Sequence, residues 1–192
     1  MGGYHALLLA AGAGSRFGGR KLLAPWRDEP LVRAAARTAL AAPVEACIVV
    51  TGCGAEEVEG ALKGLENSRL VRVRALNWRE GLASSLRAGV EALPPSSGGI
   101  VVFLGDMPLV PPSAAGLLIA ALDQGAVGAE MRYQDRPAHP VAFGRALFGD
   151  LLSLKGDSGG RHLLAGRQDV ARFTTQDAGA AFDVDMAGDL MR

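Results

Sequence analysis

Neither sign of charge is in excess in this sequence: 20 lysines and arginines stand against 20 aspartates and glutamates, a formal net charge of zero over 192 residues. Proteins that grip duplex nucleic acid displace phosphate counterions with a basic excess, so no nucleic-acid partner is expected. Long apolar runs are also missing. None approaches the roughly 20 residues needed to span a bilayer, so no membrane partner is expected either. Met1-Gly2-Gly3-Tyr4-His5 carries no basic stretch ahead of its short apolar run, which argues against a secretory leader and for a cytoplasmic setting. Cysteine is scarce, and Cys47 with Cys53 builds neither a disulfide framework nor a four-ligand metal site. No Gly/Ser linker, charge run, internal repeat or low-complexity tract divides the chain, so residues 1–192 are expected to form a single domain. Hydrophobic residues at 49% and charged residues at 21% fit a folded chain and exclude disorder. Glycine is plentiful, with 26 residues, and its placement carries the signal.

Apolar runs of strand length alternate with stretches of helical period, the pattern of a three-layer α/β/α sandwich with a mostly parallel sheet. Strands are predicted at residues 5–10, 45–51, 70–75 and 100–104, the third half-buried and the fourth fully buried. Helices are predicted at 30–42, 55–65, 82–93 and 113–122, with Pro30 suited to a first helical turn. The signal then weakens. Short strands are expected at 127–132, 140–143 and 170–174, helices near 145–152 and 160–164, and a last short helix from Met186. Ligands of such sheets bind outside the carboxyl ends of the strands, and the first and fourth strands both end in unusual sequence.

The first strand runs into Ala10-Ala11-Gly12-Ala13-Gly14-Ser15-Arg16-Phe17-Gly18-Gly19-Arg20-Lys21. Glycines let backbone amides crowd an anion, and the flanking cations add charge. A dinucleotide fingerprint fails here, because Phe17 holds the third glycine position and Thr51-Gly52 rather than an acid closes the second strand. A Walker A loop fails too: Gly14 to Gly19 has the spacing, but no hydroxyl follows Lys21. What fits is Leu9-Ala10-Ala11-Gly12-x-Gly14-Ser15-Arg16-x-Gly18-x-x-Lys21, which resembles the LAAGxSxRxGxxK signature of nucleotidyltransferases with a nucleotide-diphospho-sugar transferase type of fold.

Ile100-Val101-Val102-Phe103-Leu104-Gly105-Asp106-Met107-Pro108 sets a carboxylate at the end of a hydrophobic strand. Beside a triphosphate such a group is repelled unless it holds Mg²⁺, which makes Asp106 a candidate metal ligand; a turn or helix cap is the plainer alternative. Asp183-Val184-Asp185 offers alternate carboxylates, on one face if the segment is a strand. Taken alone, Asp185 reads as the cap of the last helix; beside the glycine turn and Asp106, it reads as the second metal ligand.

Four further stretches resemble the molybdenum cofactor cytidylyltransferase group, close to the MobA-like transferases. They are Asn77-x-x-x-Gly81-x-x-x-Ser85-Leu86, Leu104-Gly105-Asp106-Met107-Pro108, Ala138-His139-Pro140-Val141-x-Phe143 and Gly156-Asp157-x-Gly159-x-Arg161. Order and spacing hold from about residue 7 to 190. The sequence departs from the family at Ala138, where glycine usually precedes His-Pro, and after Asp185, where Met186-Ala187 replaces the usual Thr-Pro. The alanine methyl is expected to narrow a turn on the pterin side.

The resemblance implies a Rossmann-like fold and the Mg²⁺-dependent transfer of CMP from CTP to the phosphate of molybdopterin. Ala10, Ala11, Gly12, Gly14, Ser15, Arg16 and Lys21 would bind nucleotide, with Asn77 and Ser84 as base or ribose contacts. Arg16, Lys21 and Asp106 form the catalytic set, and Asp106 with Asp185 holds the ion. His139, Asp157 and Arg161 face the pterin, a turn position being as good a reading for His139. In the family the Ala-Ala-Gly form of the first loop goes with cytosine, so CTP is expected over GTP. A molybdenum hydroxylase apoenzyme is the expected further partner. Two alternatives stand beside this: a guanylyl or sugar-phosphate nucleotidyltransferase of the same fold, and a non-catalytic carrier of the molybdenum cofactor. Cys47, His5 and His162 read as structural residues.

Overall fold

The computed structural model describes residues 2–65 and 69–191; the side chain of Arg16 also lies outside the described part. In chain order the elements are β1 (Tyr4–Ala10), a small hairpin of β2 (Pro25–Trp26) and β3 (Glu29–Pro30), α1 (Leu31–Ala41), β4 (Ala46–Thr51), α2 (Ala55–Ala61), β5 (Leu70–Arg74), α3 (Leu82–Glu91), β6 (Gly99–Leu104), α4 (Pro112–Asp123), β7 (Gly128–Tyr133), β8 (Arg136–Gly144), α5 (Phe148–Leu152) and β9 (Val170–Thr175). Seven strands make one sheet in the order β5-β4-β1-β6-β8-β7-β9. Its pairs are parallel except those of β8, which runs against β6 and β7.

The apolar runs explain the layers. Successive side chains of a strand point to opposite faces, so a strand covered on both sides reads as a continuous hydrophobic run. Along β1, Ala6, Leu8 and Ala10 enter one core, and Leu7 and Leu9 enter the other. Val101 and Phe103 of β6 follow the first set, Ile100 and Val102 the second. Helices α1, α2 and α4 close the first face through Val32, Ala35, Val58, Leu62, Ala115 and Leu118. The second face is closed by α3 and α5 through Ala83, Leu86, Val90 and Leu151. A fully buried leucine contributes about 1.5–3 kcal/mol by leaving water, so this double burial makes β1 and β6 the rigid seam of the molecule. No described helix is long and apolar enough to cross a membrane.

Two expectations are corrected. The strand predicted at 140–143 begins at Arg136, so His139 is a strand residue and not a turn histidine, and the Ala138 methyl narrows no turn. Ala138 is buried and paired with Met131 of β7. The start of β8 outruns β6 and pairs with β7 alone, which leaves Arg136 and Pro137 exposed and hides the strand from an apolar-run reading. Asp183-Val184-Asp185, in turn, is a segment without regular secondary structure outside the sheet. The Val184 N–H donates to the Asp106 carbonyl at 3.0 Å, and its side chain packs with Trp26 and Leu31. Smaller differences are that the helix predicted at 55–65 stops at Ala61, and that 160–164 and the chain end are 3-10 turns.

Candidate active site

The site lies at the carboxyl ends of β1 and β6, joined there by the Gly105 N–H donating to the Leu9 carbonyl at 2.9 Å. After β1 the chain enters the glycine turn and a 3-10 turn, Ser15–Phe17, stapled by the Phe17 and Gly19 amides on the Gly14 carbonyl. Gly14 has φ 61°, and a Cβ on it would lie 2.7 Å from the Lys21 Cβ. Only glycine therefore lets the turn fold back on Lys21.

Lys21 sits between two carboxylates from distant parts of the chain: its Nζ is 2.8 Å from Asp106 Oδ2 and 3.1 Å from Asp185 Oδ1. The exposure of the three side chains rises from 11% at Lys21 to 28% at Asp106 and 50% at Asp185, so the cation is the enclosed member. Burial works to lower the Lys21 pKa, but Asp106 and then Asp185 outweigh it and hold the ammonium above its ordinary range. Asp183 is pushed up by burial and by the nearby Asp185 and Asp106 charges. The capping role open to Asp185 falls instead to Asp189, whose Oδ2 accepts from the Asp185 and Met186 amides at 3.1 and 2.8 Å. That leaves the Asp185 carboxylate turned to Lys21.

A cleft of about 410 Å³ opens beside this cluster, with Ala11, Gly12, Gly14, Lys21, Asp106 and Asp157 among its lining residues. Trp78 and Arg79, which the sequence reading did not single out, line it as well, as does Ser85, which it named within the motif but gave no contact role. The Arg79 guanidinium covers the Trp78 ring at 4.5 Å from its centroid. Ser84 is placed elsewhere, its hydroxyl donating to the Gly81 carbonyl at 2.8 Å. Counting four residues on from Gly81 in the motif lands on Ser85, a signal the spacing already contained. Asn77 is exposed, Ala10 is buried in the core, Ser15 is exposed in the 3-10 turn, and none of the three lines the cleft. Gly81 joins the two walls: its φ is 105°, and a Cβ there would lie 2.5 Å from the Gly156 carbonyl.

His139 and Arg161 line a smaller cavity of about 160 Å³, which shares Leu9, Leu82 and Leu104 with the main cleft. Burial first, then the Arg161 charge, pushes the imidazole down to about 3, against a raising hydrogen bond with the Val102 backbone. Arg161 donates to the Ala138 carbonyl at 2.8 Å. The structure thus brings Lys21, Asp106 and Asp185 together at the glycine turn, sets Asp157 across the cleft, and places His139 and Arg161 in an adjoining chamber. Cys47 is buried, which pushes its thiol up to about 12. Among the described residues no three or more His, Cys, Asp or Glu side chains gather as a ready metal cage.

Residues 6–172 match the MobA-like NTP transferase domain. The nicotine blue oxidoreductase of Paenarthrobacter nicotinovorans is 34% identical over 166 residues, covering 82% of this chain and 79% of that protein. The bifunctional protein GlmU of Thermus thermophilus is 34% identical over 146 residues, 74% of this chain but only 31% of GlmU, so the chain spans about a third of that relative. Among solved structures, Rv0371c of Mycobacterium tuberculosis superposes with a TM-score of 0.84 at 30% identity, covering 100% of this chain and 97% of that one. Its complex with manganese gives a TM-score of 0.74 over 90% of this chain and 88% of that one.

Proposed function

This chain belongs to the MobA-like NTP transferase family, and from that premise we propose that it moves CMP from CTP to the phosphate of molybdopterin, releasing pyrophosphate with the help of Mg²⁺. It does so as one domain spanning residues 1–192. The observation that carries the reading is the convergence of Asp106 and Asp185 on one cation, Lys21 Nζ, beside a turn rich in backbone amides.

In the reaction an acceptor phosphate oxygen attacks the α-phosphorus of CTP. The bond from that phosphorus to its bridging oxygen breaks, and pyrophosphate leaves with the electron pair. A phosphate is already nucleophilic at neutral pH, so the protein has no proton to remove; its task is alignment and relief of repulsion between two anions. Gly12 and Gly14 present the turn to the triphosphate, and Lys21, held charged by its carboxylate neighbours, meets the charge that builds on pyrophosphate. Arg16 is assigned the same task by its place in the signature.

Asp106 and Asp185 suit a hard divalent ion: both are oxygen donors, from separate segments, and they already share a cation. Rv0371c, solved with manganese, supports that choice. Bound there, Mg²⁺ would polarise phosphate oxygens and offset their charge. Ala11 and Trp78 lie on the β4–β5 flank of the cleft and suit the nucleobase, Ser85 replacing Ser84 as the hydroxyl within reach; His139, Asp157 and Arg161 are assigned to the acceptor.

A second reading is transfer to a sugar phosphate by a nucleotidyltransferase of the same fold. Pyrophosphate release measured with CTP, GTP and UTP, each with molybdopterin or N-acetylglucosamine 1-phosphate and with Mg²⁺ varied, separates the two. Turnover is expected with CTP and molybdopterin only. Preference for GTP or the sugar phosphate would overturn the assignment, and stoichiometric pterin binding without pyrophosphate would favour a carrier.

A further inference from the structure

The Lys21 ammonium occupies the oxygens that suit a divalent ion, Asp106 Oδ2 at 2.8 Å and Asp185 Oδ1 at 3.1 Å. It has three donors and no acceptor, so it and an ion are like charges contending for the same lone pairs. The lysine is not what brings the carboxylates together. The Val184 N–H donates to the Asp106 carbonyl at 3.0 Å, and Asp189 accepts from the Asp185 amide at 3.1 Å. Backbone hydrogen bonds therefore keep the two acids side by side, and what Lys21 supplies is the positive charge between them.

The arm is fixed at its root and free at its tip. Its Cβ is pinned by the glycine turn, where a side chain on Gly14 would stand 2.7 Å away. Beyond that atom it borders the main cleft and, across the turn, a second cavity of about 360 Å³ shared with Gly12, Ala13 and Cys53. Space on both sides lets the ammonium change rotamer without moving the core. Arg33 shows the opposite arrangement: its guanidinium is tied to Glu29 and also to the Ala61 and Lys63 carbonyls, partners that no ion would claim. Lys21 holds carboxylates that an ion would claim.

We propose that Lys21 is the place-holder of the ion site: its ammonium neutralises Asp106 and Asp185 while no ion is bound, and swings off them into the cleft when one binds. There it meets the triphosphate, so one arm couples the ion to the nucleotide. The proposal rests on the reading of Asp106 and Asp185 as ion ligands, and adds that Lys21 must leave them first.

The chain has three lysines, and Lys63 and Lys155 are exposed, so they serve as internal standards for the first arm of the test. The nucleotide-free chain is labelled briefly with acetic anhydride, and modification at each lysine is read by peptide mass spectrometry. Mg²⁺ is expected to raise the Lys21 rate about fivefold or more relative to the other two, and CTP added with Mg²⁺ to lower it again. A Lys21 rate that Mg²⁺ leaves unchanged or lowers overturns the proposal. The second arm follows Mn²⁺ binding, without nucleotide, by the electron paramagnetic resonance of the free ion. Lys21→Met, which removes the competitor, is expected to bind Mn²⁺ about tenfold or more tighter than the unmodified chain, and Asp106→Asn to bind it about tenfold or more weaker. Equal or weaker binding in Lys21→Met overturns the proposal. If that happens while Asp106→Asn still loses the ion, the ligand assignment stands and only the place-holder falls. If Asp106→Asn binds Mn²⁺ as well as the unmodified chain, the ligand assignment falls and the proposal with it.

Discussion

The two flanks of the β1–β6 seam handle polar groups in opposite ways. On the glycine-turn side charges stand in matched sets: Lys21 with Asp106 and Asp185, Arg20 with Glu57 at 2.5 Å. On the β8 side apolar side chains surround His139 and Arg161, and among the described residues the buried His139 Nδ1 is without a hydrogen-bond partner. Phosphates carry several charges and need a balanced, partly open field to enter and leave, whereas an apolar chamber tolerates few polar groups. The same sheet supplies both environments within one site because its strands end in different sequence: glycine and charge after β1 and β6, His139 inside β8.

The largest expected effect falls on the charged flank alone. Asp106→Asn keeps the side-chain shape but removes the charge, so kcat for pyrophosphate release should drop on the order of 10³-fold while Tm barely moves. An equal loss of pterin affinity in that variant would show that the flanks are not separate. Next in size is Gly81→Ala, which strikes the hinge between them. With φ at 105° and the Gly156 carbonyl 2.5 Å from the added carbon, it should cost roughly 2–4 kcal/mol in urea unfolding. Smallest near neutral pH, and growing only as the solution is acidified, is an effect confined to the apolar flank. Because the folded state holds the His139 imidazole down at about 3, below its ordinary 6.5, the unfolded chain binds a proton first as pH falls. The associated stability is present above pH 6.5 and is lost toward pH 3, by at most about 1.4 kcal/mol per pH unit. His139→Phe should flatten that part of the stability curve, and an unchanged curve would place the imidazole in a wetter setting than the structure gives.

The sheet was legible where burial on both faces turns a strand into an unbroken apolar run, as in β1, β4 and β6. It was less so in β8, whose first residues pair on one side only. The hairpin of β2 and β3 has two residues per strand and leaves almost no pattern. In the site, Lys21 and Asp106 were legible because glycine and charge interrupt hydrophobic strands abruptly. Asp185 was named, but its neighbours suggested a helix cap, a role that only the fold transfers to Asp189. Trp78 and Arg79 escaped notice because lining a cleft depends on how the segment before α3 folds back over β4, which spacing along the chain does not encode.

Paramagnetic broadening of backbone amides by substoichiometric Mn²⁺, with CTP bound, addresses the shared ion site directly. Broadening centred on residues 12–14, 105–107 and 184–185 is expected, and it should vanish in the Asp106→Asn/Asp185→Asn double variant. Broadening centred elsewhere, or equally strong in the double variant, would contradict a cation held between those two carboxylates beside the glycine turn.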